Sequence, residues 1–213
     1  MQVPSPAPRV GEPTANGFGL VLSQVLQHDE LIEVAGDAEI DELEELEHVR
    51  LKIGAISPVD KARLRQLSDR AEIIDVQLRY ATGVDTRNWE FLRTCFTDDL
   101  EADFSSGFGF PIVRLKADEW IESIAPVMGA LEATQHTITN HVITFDDDDH
   151  ATCVAYVQAR HHNPNRTGDS EHTVYGFYTN RFERISSEWR IAKCKLTVSW
   201  MTGNFGLFGG LSQ

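Results

Sequence analysis

His136 and Asp85 are the residues of this chain best suited to moving a proton near neutral pH, and Tyr80 lies on the predicted helix just before that carboxylate. An unperturbed imidazole changes charge between pH 5 and 8. When a carboxylate accepts its Nδ1–H, the tautomer is fixed and Nε2 is left to take a proton. A base so placed contributes ~10²–10⁴-fold to a rate. Donors such as Tyr80, Asn140, Tyr175 and Tyr178 suit a developing enolate or a leaving hydroxyl. Elimination, double-bond migration and aldol-type cyclisation all begin with proton abstraction, so the residue types leave the three open. Each residue also has a plainer account: Asp85 as a turn former, His136 as a satisfied core histidine, Tyr80 as a packing residue. Other clusters carry less. Asp146–Asp149 followed by His150 lacks the alternating ligands of a calcium loop. His161 and His162 are adjacent on a strand and point apart, which makes a poor chelate. Cys194 has no neighbouring His and no helix N-terminus, so it reads as an inert thiol. No metal site and no cofactor motif is expected; GFGF at Gly107–Phe110 lacks the strand and helix of a dinucleotide loop.

The carrier elements follow from patterning. Asp69 with Glu72 resembles a capping box, opening a helix through Ile73, Ile74, Leu78 and Ala81 that Gly83 ends, with Asp85 just beyond. A short helix fits 88–95, with Trp89, Leu92 and Phe96 inward. A strand fits 100–104, SSGFGFP is a loop, and a third helix over 117–124 ends around Pro126. After Glu132 come four long runs rich in Val, Ile, Thr, Tyr and Phe, at 134–145, 151–162, 172–185 and 188–200, separated by turn chemistry. His136 and Asn140 share parity on the first of them, while His141 faces away unless a bulge intervenes. Helices followed by an antiparallel meander predict an α+β fold. Apolar residues at both parities (Val154 and Ala155, Val174 and Tyr175) predict a sheet covered on both faces, curled into a cup for a small molecule.

Charge and composition narrow the partners. Acids outnumber bases 33 to 19 in 213 residues, a net charge of −14, which argues against nucleic acid and anionic membrane as partners. Nothing approaches ~18 consecutive apolar residues, and the N-terminus lacks a secretory pattern. Three widely spaced cysteines suit reduced thiols, so a cytoplasmic location is expected. Residues 1–67 read as an acidic, partly disordered N-terminal extension with one or two helices. Its first seventeen residues are rich in Pro, Gly, Ser and Ala, and 18–26 has the pattern of a short helix. Ten acids and no base lie between Asp29 and Glu47. Ile40, Leu43, Leu46, Val49 and Ile53 form a narrow stripe on an anionic helix, which suits either an arm packed on its own protein or a docking segment over 29–53 for a protein partner. HDELIEVAGD also bears a faint likeness to leader segments of ribosomally made peptide precursors. Ser57-Pro58 marks a break.

YATGVDTRNWEFLRTCFTDD, then TQHTITNHVITF, then YGFYTNRFERISSEWRIAK resemble, in that order, the SnoaL-like branch of the NTF2-like superfamily, from about residue 68 to 210. The resemblance implies a cone of curved antiparallel sheet wrapped around three helices with a central cavity, over residues 68–213. It implies a homo-oligomer, dimer or trimer. The family spans ketosteroid isomerases, scytalone dehydratase, polyketide cyclases, limonene epoxide hydrolase, dehydrochlorinases and non-catalytic carriers, so fold does not settle function. GVDTR at 83–87 and QHTITN at 135–140 are similar to the dehydrochlorinase segments that carry its Asp and His. By that likeness His136 is the base and Asp85 its partner, and YTN at 178–180 matches as well; scytalone dehydratase similarly pairs a Tyr-and-Asp region, here Tyr80 and Asp85, with a His. Where the likeness implies a cavity arginine in the last strand, this chain has Cys194.

The expectation is a cofactor-free lyase or isomerase acting on a small apolar molecule, with dehydratase-like elimination first and polyketide-cyclase or isomerase chemistry next. Asn140, Trp89, Phe104, Trp120, Tyr175, Tyr178 and Cys194 are the expected substrate contacts. A binding or scaffold protein without chemistry is the contrasting expectation.

Overall fold

The break at Ser57-Pro58 is a helix start. Ser57 Oγ accepts the Asp60 N–H at 3.1 Å, and Pro58 takes the first helical position, where a missing N–H costs nothing. The computed structural model describes residues 57–164 and 168–208, so the acidic amphipathic segment, the 18–26 helix and the leader-like stretch lie outside the described residues. Helix α1 runs over Pro58–Asp85. By its contacts the chain divides into Met1–Ser68 and Asp69–Gln213, and the sheet and cavity belong to the second unit.

Two features of α1 differ from the sequence expectation. Asp69 does not cap a helix; it is buried within one, and its Oδ1 accepts from Trp189 Nε1 at 3.1 Å and Arg184 Nη2 at 2.8 Å. Gly83 does not end the helix, which continues to Asp85. Its role is close approach: a Cβ there would stand 2.9 Å from that of Leu92. Leu92 belongs to α2, Trp89–Arg93, which is capped by Asn88 Oδ1 on the Phe91 N–H at 3.0 Å.

Strand β1, Phe96–Asp103, starts earlier than expected. The loop after it holds one irregular turn, Ser105–Phe108, with Gly107 and Gly109 at φ 80° and 71°. Strand β2, Val113–Lys116, was not legible in the sequence, because four residues are too few for alternation to register. Helix α3, Ala117–Gly129, passes through Pro126 rather than ending there. Pro126 is exposed, so a carbonyl it frees is open to water. Strands β3 (Ala133–Phe145), β4 (His150–His162), β5 (Glu171–Ile185) and β6 (Glu188–Gly203) follow the four long runs, and a 3₁₀ turn, Phe205–Phe208, closes the described chain.

The sheet has the order β2-β1-β6-β5-β4-β3, antiparallel except where β1 pairs parallel with β6. Register shifts bend it. One lies in β3, where Thr139 faces Tyr156 but Val142 faces Val154, so one extra residue sits in β3. Another lies at Tyr175/Gly176, where a side chain on Gly176 would collide with the Thr197 carbonyl. The core gathers on the concave side, with Ile73, Val76, Leu92, Phe96, Phe182 and Ile191 at its centre. The fold is α+β, a curved, mostly antiparallel sheet closed by helices.

Candidate functional site

Asp85 ends α1 and His136 lies near the start of β3, and the fold brings them together. Asp85 Oδ1 lies 2.7 Å from His136 Nδ1, and Asp85 Oδ2 accepts the His136 backbone N–H, also at 2.7 Å. Thr134 Oγ1 donates to Oδ1 at 2.9 Å. Burial alone would raise the Asp85 pKa, but the hydrogen bonds and charge of His136, with Thr134 behind them, outweigh it and hold the carboxyl below its usual range. An ionised Asp85 can only accept, so the proton between the pair belongs to His136 Nδ1 and Nε2 carries the lone pair.

Arg87, which the sequence did not single out, locks this arrangement. It sits in the left-handed region at φ 55°. Its guanidinium donates to the carbonyls of Asp85 (2.6 Å), Leu131 (3.1 Å) and Met128 (3.3 Å), which ties together the ends of α1 and α3 and the approach to β3. An Arg two residues past an Asp carries no periodic signal, so only the folded chain reveals this role.

His136 lines a cavity of about 410 Å³ between the helices and the concave face of the sheet. Tyr80, Tyr178, Phe104 and Trp120 line it too. The hydroxyls of Tyr80 and Tyr178 lie 3.4 Å apart, and both phenols are buried. Burial keeps both pKa values above the ordinary range, helped by Tyr178 at Tyr80 and by Cys194 at Tyr178, so both stay protonated donors. Phe104 stacks on Trp120 with centroids 5.1 Å apart. Among the described residues, no Asp, Glu, Lys or Arg lines the cavity.

Four of the expected contacts lie elsewhere. Asn140 sits at the β3 bulge, exposed, with φ 57°, because the extra residue there reverses the parity that was to keep it beside His136. His141 takes the inward phase instead, and its Nε2 is buried without a partner. Trp89 packs against the core from α2 and does not line the cavity. Tyr175 is on the other sheet face, stacked on Trp200 at 4.6 Å. Cys194 is fully buried off the cavity wall, and burial pushes its thiol up to about 12, so it stays protonated.

His161 is the cavity residue that the sequence reading passed over. As expected, it and His162 diverge: His162 Nδ1 meets Glu171 at 2.7 Å, whereas His161 is buried, with its ring 5.8 Å from that of His136. Its parity with Ala159 and Val157, both buried, was the available signal. Burial, reinforced by His136, brings the His161 pKa down to about 4. In the unfolded chain it takes a proton near 6.5, so the unfolded state binds more protons between those values and stability falls as pH drops from 6.5 to 4. The loss from His161 is on the order of 3 kcal/mol. Asp85, with a depressed folded pKa, keeps its stabilisation until the pH falls below the ordinary carboxylate range, so its loss comes later. Urea midpoints measured at pH 7, 5.5 and 4 should fall steadily, and His161→Phe should flatten the upper part of that decline. A flat wild-type profile would contradict the buried neutral state of His161.

Among the described residues, no helix is long and apolar enough to cross a membrane. Residues 65–195 match the model of the SnoaL-like domain. The Kfla4162 protein of Kribbella flavida is 36% identical with a TM-score of 0.64, and the match covers 67% of this chain and 98% of that one. The LinA-type3 hexachlorocyclohexane dehydrochlorinase of Novosphingobium barchaimii LL02 is 20% identical (TM-score 0.57; 68% and 95% covered). A scytalone dehydratase-like protein of Novosphingobium aromaticivorans DSM 12444 is 18% identical (TM-score 0.59; 66% and 90% covered). At such identity these last two share the fold alone. No curated protein matches the chain. With the family model spanning more than half its length and the ordered motifs in their expected places, this chain belongs to the SnoaL-like domain family.

Proposed function

We propose that this protein is an enzyme of the lyase or isomerase class that abstracts a carbon-bound proton from a small, largely apolar molecule held in the cavity, with His136 as the base and Asp85 as its partner. The observation that carries this reading is the double contact of Asp85 with the His136 ring and backbone, beside a cavity that His136 lines. The carboxylate fixes the Nδ1–H tautomer and stabilises the imidazolium once Nε2 has taken the proton. Tyr80 and Tyr178 offer donors for a developing enolate.

Elimination of water is the favoured reaction. The electrons of the broken C–H bond form the double bond, the adjacent C–O bond breaks, and the departing hydroxide takes the proton from imidazolium. Water leaves and the imidazole is restored. Return of the proton to another carbon gives isomerisation instead, and attack of the enolate on an internal carbonyl gives cyclisation. These chemistries require no cofactor.

The test reads proton abstraction without assuming the product. Uncharged one- and two-ring ketones are incubated with the protein in D₂O, and replacement of C–H by C–D is followed by ¹H NMR. Asp85→Asn should slow exchange about 10–100-fold, through kcat more than KM, because an amide can hold His136 in the wrong tautomer. An unchanged rate would reduce Asp85 to a structural residue.

A further inference from the structure

The cavity holds a second imidazole whose surroundings differ from those of the first. His161 Nδ1 lies 3.3 Å from the His172 carbonyl, which can only accept, so the proton is on Nδ1. Its Nε2 has no hydrogen-bond partner within the described residues, yet it is not among the buried, unpartnered atoms, and His161 lines the cavity. The ring is gripped from the side by Phe208, edge-on at 4.9 Å, and by His172 at 6.0 Å. No carboxylate bonds its Nδ1, unlike that of His136. His161 therefore presents a fixed, neutral lone pair to the cavity, and burial keeps it neutral down to a pH of about 4. A lone pair of this kind accepts a hydrogen bond, and a hydroxyl on the ligand would supply one.

The rest of the wall limits the ligand's charge. With no ionised side chain among the lining residues, a charged group on the ligand would be desolvated without a partner. The apolar lining, with the stacked Phe104 and Trp120, suits a ring. The His136 and His161 rings, with centroids 5.8 Å apart, can reach two atoms of one small molecule a few bonds apart.

We propose that the substrate is an uncharged, hydroxyl-bearing ring compound and that His161 is a specificity-determining residue, its Nε2 accepting the hydrogen bond of that hydroxyl while His136 faces the carbon acid. This deepens the proposed function and rests on the same cavity being the ligand site. In a site built to bond a hydroxyl, an analogue lacking the donor leaves a buried polar atom unpaired.

The test measures binding, without turnover. His136→Leu removes the stronger, carboxylate-backed acceptor. Affinities of this variant for 2-naphthol and for its methyl ether, 2-methoxynaphthalene, are then compared by calorimetry. The expected result is about tenfold tighter binding of the naphthol, one hydrogen bond's worth, falling to within about twofold in His136→Leu/His161→Phe. If the double variant does not fold, ¹⁵N NMR of the single variant decides: the His161 Nε2 resonance should move on adding 2-naphthol and stay in place with the ether. Equal affinity for the two probes in His136→Leu, a preference that survives loss of His161, a resonance unmoved by the naphthol, or failure to bind either probe would each overturn the proposal. Because no proton is transferred to carbon in these experiments, their failure leaves the proton-abstraction reading to the Asp85→Asn exchange test.

Discussion

His136→Ala should lower C–H exchange and turnover by at least ~10²–10⁴-fold, the range a positioned general base contributes. Two features of the site make the effect large. Asp85 is ionised and already oriented, so His136 Nε2 faces the cavity side with its tautomer set before substrate arrives. The described lining residues include no carboxylate or lysine to substitute for it; Tyr80 and Tyr178 are held protonated by burial, and His161, whose pKa burial brings down to about 4, is a much weaker base. The fold should survive, because Asp85 keeps the His136 backbone N–H and the Thr134 hydroxyl as donors in the variant. The measurement is the exchange rate in D₂O together with a thermal midpoint. Full activity in a folded His136→Ala protein would refute the assignment of the base, whatever the substrate.

Asp69→Ala should have the largest effect on stability. Its carboxylate joins α1 to the far end of the sheet by taking two donors at once, the Trp189 indole and the Arg184 guanidinium. Arg184 lies over the Trp189 ring, 4.2 Å from its centroid, and its side chain is only 12% exposed. Removing the carboxylate takes from a nearly buried cation its closest and most buried anionic partner and strands a buried indole N–H, a change that costs about 3–5 kcal/mol. At roughly 2–4 °C per kcal/mol for a chain of this size, the thermal midpoint should fall by about 6–20 °C. Asp69→Asn keeps an acceptor and loses the charge, so it should lie between wild type and Ala. The contacts left to Arg184, the Asp148 carbonyl at 3.1 and 3.2 Å and the Asp149 carboxylate at 3.4 Å, set the lower bound of the loss. A midpoint within a degree or two of wild type would mean that Arg184 finds water in place of Asp69.

Much of this arrangement was legible in the sequence, and for identifiable reasons. The four long strands announced themselves through length and β-branched composition, and the observed bounds differ by at most a few residues. The proximity of Asp85 and His136 was not visible in any periodicity; it came from resemblance, because a contact across 51 residues leaves no local trace. Local rules misled where tertiary contacts overrode them. Asp69 and Glu72 have the spacing of a cap, but Trp189 and Arg184 claim Asp69 for the core. Gly83 has the look of a helix end, yet Leu92 needs its missing side chain. Aromatic residues were assigned to the cavity by type, and types do not report faces. Tyr178 lines the cavity while Tyr175, three residues away and across a bulge, stacks on Trp200 outside it. The adjacency of His161 and His162 speaks only to chelation and is silent about a cavity wall, which is where the fold places His161.

The extra residue in β3 divides that strand into two reading frames. Before it, even-numbered residues such as His136 and Ile138 point inward; after it, odd-numbered ones such as Ile143 and Phe145 do. A sequence comparison that runs through Thr139–Val142 without a gap against a relative lacking the bulge therefore stays in phase on one side only. On the other side it equates core positions with surface ones. Deleting one residue at the bulge would leave both frames as they are, since Val142 would still face Val154 and Ile143 Cys153; forcing the full-length strand into a regular ladder would instead turn Val142 and Thr144 inward and expel Ile143 and Phe145. The bulge thus absorbs one extra amino acid, so that the strand still delivers a base to the cavity at one end and apolar bulk to the core at the other.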